Sequence, residues 1–258
     1  MKYEEVYCKG ENKTFSLNEV AYLYSNEAER YAHSLEGQMF CPDCHKVPMA
    51  FVNSKRPHFR GFPNFDHEEG CIFTKEEMTQ EEVRDLLTKP AGENEIVHQI
   101  DRLVIQFLRN HAGDIAANDI KRPTASGNDP DAPTKKRWQA KSIMPRKQIN
   151  APFCEEDYGV AKLFYGRVHI QWEPTKTGDR MKLLVQNIKS KKLICRLFLT
   201  PKVYNHLPSQ YRTECDAFIV FMTVLNKQSA EKSWLQGSLI KSTLLSIYKI
   251  NVPTDKKK

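Results

Sequence analysis

Three of the chain's seven cysteines and three of its eight histidines fall in one stretch, residues 41–71, "CPDCHKVPMAFVNSKRPHFRGFPNFDHEEGC". Cys41 and Cys44 form a C-x2-C pair, a spacing that lets two thiolates reach one ion at about 2.3 Å. Pro42 stiffens that turn. His67 and Cys71 add an H-x3-C pair, so Cys41, Cys44, His67 and Cys71 make a closed four-ligand set suited to one structural Zn2+ ion. His58 and His45 are the reserve ligands. A catalytic zinc keeps an open position for water beside a general base. Glu68 and Glu69 adjoin the ligands, but four protein ligands fill the coordination sphere.

The segment "FCPDCHKVPMAF…KRPHFRGFPNFDHEEGC", with the preceding "AYLYSNEAERYAHSLEGQM", resembles the N-terminal zinc-binding region of the bacterial competence CoiA-like proteins. The likeness covers roughly residues 15–75 and continues weakly to about 110. Gly61 stands where that family often carries a second histidine. The resemblance implies a zinc region followed by a helix with a Glu/His pair, matched here by Glu93 and His98 in "ENEIVHQIDRLVIQFLRN". It also implies a restriction-type nuclease core, with an Asp on one strand and Glu-x-Lys on the next. No such pattern follows residue 110, so a divergent metal-dependent nuclease is the lesser expectation.

Elements must position the ligands. "EEMTQEEVRDLLTKP" predicts a helix, with Thr79 three residues before Glu82 in capping-box spacing and Pro90 as its stop. In the next helix Ile96, Ile100, Leu103, Val104 and Phe107 recur at helical spacing. A polar, proline-bearing stretch follows and reads as a flexible basic linker over 113–157. The expected division is a zinc-ribbon and helical domain (1–112), that linker, an all-β domain (158–252) and a basic tail (253–258).

Charge divides with the sequence. Residues 1–120 carry 13 Lys and Arg against 21 Asp and Glu, while residues 158–258 carry 18 basic against six acidic groups. A polyanion would therefore meet the C-terminal part, and the acidic N-terminal part is the candidate surface for a protein partner. No apolar run approaches the roughly 20 residues that span a bilayer, and "MKYEEVYCKG" has no signal-peptide core. The expected location is cytoplasmic, with thiols reduced.

The C-terminal part reads as short strands at 160–172, 180–188, 191–199, 217–225 and 242–250, with a helix near 202–212. Five strands with one helix after the third predict an OB-like five-stranded barrel. Alternation places Phe164, Val168, Ile170, Leu183, Val185, Cys195 and Leu197 inside. The outer set mixes cations, amides and rings: Tyr165, Arg167, His169, Lys182, Gln186, Lys192, Arg196 and Phe198. Trp234 flanks them from the loop 226–241. Phosphates are neutralised by Lys and Arg, and bases stack on aromatics or guanidinium planes. The functional expectation is a non-enzymatic protein that binds single-stranded DNA or RNA. The alternative is a protein-interaction adaptor of a bacterial nucleic-acid-processing or defence system.

Overall fold

The computed structural model describes residues 3–89, 92–111, 142–228 and 234–250. The chain begins with a hairpin of β1 (Glu5–Cys8) and β2 (Lys13–Ser16), followed by α1 (Leu17–Asn26) and α2 (Ala28–Ser34). Strand β3 (Met39–Phe40) pairs with β1, and β4 (Met49–Val52) forms a second hairpin with β5 (His58–Gly61). Ser16 caps α1 through a reciprocal pair with Glu19, a capping box. A short β6 (Glu76–Glu77) leads to α3 (Gln80–Thr88) and α4 (Gly92–Asn110).

Thr79 and Glu82 form the expected capping box on α3. The tight turn into α4 depends on Gly92: a Cβ there would lie 1.7 Å from the Leu86 carbonyl oxygen. The stripe Ile96, Ile100, Leu103, Val104 and Phe107 is buried, as its periodicity requires.

The expected linker 113–157 is only partly described. Residues 113–141 and the basic tail 253–258 lie outside the described residues. The remainder, 142–157, is not a loose tether. It holds β7 (Ser142–Ile143), parallel to β6, and β8 (Arg146–Gln148), parallel to the next strand. Lys147 within it is almost buried and bridges Glu4 (2.6 Å) and Asp157 (3.4 Å). A cation taken out of water must find such partners.

The C-terminal part is built on β9 (Ala161–Pro174), β10 (Met181–Gln186) and β11 (Leu193–Leu199), an antiparallel meander. After α5 (Pro201–His206), β12 (Cys215–Val224) returns to the far side of β9. A two-residue β13 (Asn226–Lys227) precedes β14 (Leu235–Leu239), and β15 (Leu245–Lys249) ends the described chain. The sheet order is β13-β14-β11-β10-β9-β12-β15, with β8 beside β9, giving eight strands.

This corrects the expected barrel: the fold is α+β with a large open sheet. Strand β14 lies in a stretch expected as loop and runs parallel to β11. The expected fifth strand is β15, on the outer side of β12. The ends of β12 and β14 approach, with Thr223 Oγ1 donating to the Ser238 carbonyl at 2.8 Å. A Cβ on Gly237 would stand 2.8 Å from the Val224 oxygen. They form no ladder, because β12 already pairs with β15 and β14 with β13.

One sheet face holds the core expected from alternation, Phe164, Val168, Ile170, Leu183, Val185, Cys195 and Leu197. The other face of β9 and β12 is also buried: Leu163, Tyr165, Phe218, Val220 and Met222 pack against α4. Phe107 and Phe218 lie face to face, centroids 3.8 Å apart and planes 3° from parallel. The N-terminal and C-terminal parts thus share a core. No helix among the described residues is long and apolar enough to cross a membrane.

Candidate metal centre and sheet surface

The knuckle Cys41–Cys44 lies between β3 and β4, and the arm His67–Cys71 follows β5. One ligand atom from each of Cys41, Cys44, His67 and Cys71 lies within 4.8 Å of the others. The Cys41 and Cys71 sulfurs are 3.8 Å apart, and His67 Nδ1 is 3.4 Å from both Cys44 and Cys71. Bond lengths of about 2.3 Å to sulfur and 2.0 Å to nitrogen predict tetrahedral edges of about 3.8 and 3.5 Å. The donor set therefore fits a tetrahedral ion, and these four residues could hold a metal. His58 is exposed on β5, 3.1 Å from the Arg56 carbonyl, outside the cluster. His45, the other reserve, stacks on Tyr7 at 3.6 Å and meets Asn110 instead.

Electrostatics favour thiolate at the knuckle. The hydrogen bond with Cys71 lowers Cys41 to about 7 against its burial, with the backbone N–H groups of Cys44 and Asp43 assisting. The same shared proton drives Cys71 upward.

Five residues that sequence reasoning missed hold the ligands in place. Tyr3 meets His67 Nε2 at 2.9 Å, which fixes the ring with Nδ1 toward the sulfurs. Burial, with the neighbouring thiols, pushes the Tyr3 phenol up to about 12, so it stays protonated. Asp43 ties the two arms: its Oδ2 accepts from the Ile72 amide at 2.7 Å and from Arg102 at 3.3 Å. Arg102 also donates to the Gly70 carbonyl at 2.6 Å, and Asn110 to the Pro42 carbonyl at 2.8 Å. Arg102, Arg109 and Asn110 recur seven and eight residues apart on α4, and Arg109 donates to the Asp43 carbonyl. That polar row was the visible signal; its target was not. The closure of Tyr3 on His67 left none.

Glu93, matched by resemblance to a nuclease helix, bonds Lys241 and reaches Thr243 Oγ1 at 2.6 Å, joining α4 to the C-terminal sheet. His98 is exposed on α4.

The nine expected nucleic-acid contacts separate by strand. Tyr165 is buried beneath α4, because the apolar stripe of that helix needs a surface and β9 with β12 supplies it. His169 is held by Asp216 (2.7 Å) and Glu214 (3.2 Å). Arg167 lines a cavity near β2 and β8. Neither Tyr165 nor His169 is presented to solvent as alternation alone suggested.

The other six gather on β10, β11 and β14. Lys182 pairs with Glu173 at 3.0 Å, Gln186 and Phe198 are half-buried, and Lys192 is exposed. The Arg196 guanidinium lies 4.1 Å from the Trp234 ring centroid. Register places Arg196 beside Gln236 and Phe198 beside Ser238, so these side chains continue one face from β11 onto β14.

Comparison with known proteins brings no match: no family model, curated protein or solved structure is recognisably similar to this chain.

Proposed function

We propose that this is a non-enzymatic, zinc-containing protein that binds single-stranded nucleic acid on the face of β10, β11 and β14. The observation that carries the reading is the Arg196–Trp234 stack, a flat cationic platform at the edge of a partly exposed sheet face. Such platforms accept bases without regard to sequence, and Lys192 stands exposed at the near end of β11 to meet phosphate.

The strand arrangement supports an OB-like reading in opened form. A meander of three strands is followed by a return beside the first and a strand parallel to the third. In that fold strands two and three carry the ligand, and here they are β10 and β11. Zinc is the ion favoured by three thiols and one imidazole at tetrahedral separations. With all four positions taken by protein, its role is structural. The motif likeness to CoiA-like N-terminal regions is consistent with that role.

Fluorescence anisotropy with labelled single-stranded and duplex DNA and RNA, titrated with salt, tests the proposal. Binding should favour single strands, weaken steeply with salt and be reduced in Arg196→Ala and Trp234→Ala. Absence of binding to every oligonucleotide at low salt would overturn it.

The adaptor reading has one observation in its favour. An apolar hollow beside the same face is lined by Leu87, Phe198, Met222, Val224 and Ile240, and Ile240 is 67% exposed. Under that reading Ile240→Asp abolishes partner binding and leaves oligonucleotides unaffected.

A further inference from the structure

A second candidate site lies away from both the metal centre and the β10–β11 face. Where the β1–β2 hairpin, the last turn of α4 and strands β8 and β9 meet, they enclose a cavity of about 180 Å³. A smaller chamber adjoins it, sharing Glu5, Thr14, Phe107, His111 and Phe218. An apolar cavity of about 150 Å³ takes a benzene-sized molecule, so the space suits a compact organic ligand.

Several acceptors in and beside its walls lack a donor, although Arg167, His111 and Lys189 also line it. Thr14 Oγ1, Gln106 Oε1, Gln148 Oε1 and Asn150 Oδ1 are buried without a hydrogen-bond partner, and Thr14, Gln106 and Gln148 are each at least nine-tenths buried. Two of the amides have their orientation fixed. Gln106 Nε2 donates to Glu5 Oε1 at 3.3 Å, and Asn150 Nδ2 donates to the Arg167 carbonyl at 2.8 Å. In both, the carbonyl oxygen is the atom left over. Buried acceptors without donors are uncommon in folded proteins and call for a specific account.

Two further features favour a cation, against Arg167 and Lys189 in the same lining. The Glu5 carboxylate lines both chambers. The cavity also sits at the C-terminal end of the 19-residue α4, where the helix dipole favours cations.

From this set of acceptors we infer that the cavity between β1–β2, α4 and β8–β9 is a binding site for a small hydrogen-bond-donating cation, an amidine, guanidine or amine. Gln148, Thr14 and Asn150 receive its N–H groups, Glu5 and Glu19 balance its charge, and Phe107 with Phe218 forms the apolar wall. Arg167, His111 and exposed Lys189 line the cavity as well, so selection of a cation falls to Glu5, Glu19 and the unpartnered oxygens. The site does not depend on the nucleic-acid reading, since it shares none of the β10, β11 or β14 residues.

Calorimetric titration of the full chain at pH 8 with methylguanidinium chloride, and in parallel with sodium methyl phosphate, reads the site directly. A one-site isotherm for methylguanidinium only is expected, weakened at least tenfold in Thr14→Val, which exchanges a hydroxyl for a methyl group. Gln148→Leu should act in the same direction. If it unfolds the chain, Thr14→Val alone carries the test, with an unchanged thermal midpoint as the control for folding. A crystal structure with the probe should show its nitrogens against the Thr14, Gln148 and Asn150 oxygens. The inference is overturned by no heat with methylguanidinium, by preference for methyl phosphate, or by electron density for water only bridging the three oxygens.

Discussion

The Tyr3 hydroxyl sits 2.9 Å from Nε2 of His67, while Nδ1 of the same ring faces Cys44 and Cys71 at 3.4 Å each. A residue at the very start of the described chain thereby chooses which imidazole nitrogen a metal would meet. It also stacks on Phe73 at 4.3 Å, so hydroxyl and ring have separable roles.

Tyr3→Phe keeps that stack and removes the hydroxyl. Loss of such a partner behind a ligating histidine lowers metal affinity by about 10–100-fold. Competition with a chromophoric chelator should record that drop with little change in the far-ultraviolet circular dichroism.

The ligand set makes a paired prediction. Cys44→Ser and His67→Ala should lose bound zinc, measured by elemental analysis of purified protein, whereas His58→Ala should retain it. Chelation of wild-type protein should lower its thermal midpoint, because a structural metal contributes its binding free energy to folding. Retention of zinc in His67→Ala with loss in His58→Ala would reverse the assignment.

Phe107 tests the union of α4 with the large sheet. Its ring lies parallel to Phe218 in a shared core. Phe107→Ala should destabilise the chain by about 3–5 kcal/mol in denaturant titration. Probes in the N-terminal module and in the sheet should still unfold together. Two separated transitions in the wild type would show that the two parts are independent.

Glu5 gives stability a pH dependence. Burial raises its carboxyl from 4.5 to about 7; Arg146 opposes the shift, and Glu4 and Glu19 add to it. Between those values the folded chain binds more protons than the unfolded one. Stability is therefore fullest below the unfolded value and declines as pH rises toward 7, by up to about 3 kcal/mol for a shift of this size. Glu5→Gln should flatten that decline in denaturant titrations at pH 5 and pH 8. A residual slope remains from Glu4, which burial also raises. An undiminished slope in the variant would place the titration elsewhere.

Arg196→Lys keeps the charge but loses the flat guanidinium over Trp234. If stacking carries the affinity, this variant should lose nearly as much as Arg196→Ala, about 1–3 kcal/mol in oligonucleotide binding. Full retention of affinity would show that charge alone is read.

Local pattern was enough for whatever depends on near neighbours. The four cysteine and histidine ligands, the Thr79–Glu82 cap, the α4 stripe and the inward set from Phe164 to Leu197 all follow from spacings within one element or one loop. What the chain's own order could not settle is which surface covers which. The strand "AFIVFMTVL" is apolar on both faces, a sign that both are covered, but nothing local names α4, more than a hundred residues earlier, as the cover. That single packing choice buries Tyr165 and leaves the solvent-facing side to β10, β11 and β14. The parallel seat of β14 beside β11, the clamp of Arg102 and Asn110 on the knuckle, and Tyr3 behind His67 are of the same kind. Periodicity states which side chains must leave water; only the tertiary structure, by matching apolar faces far apart in sequence, decides against what.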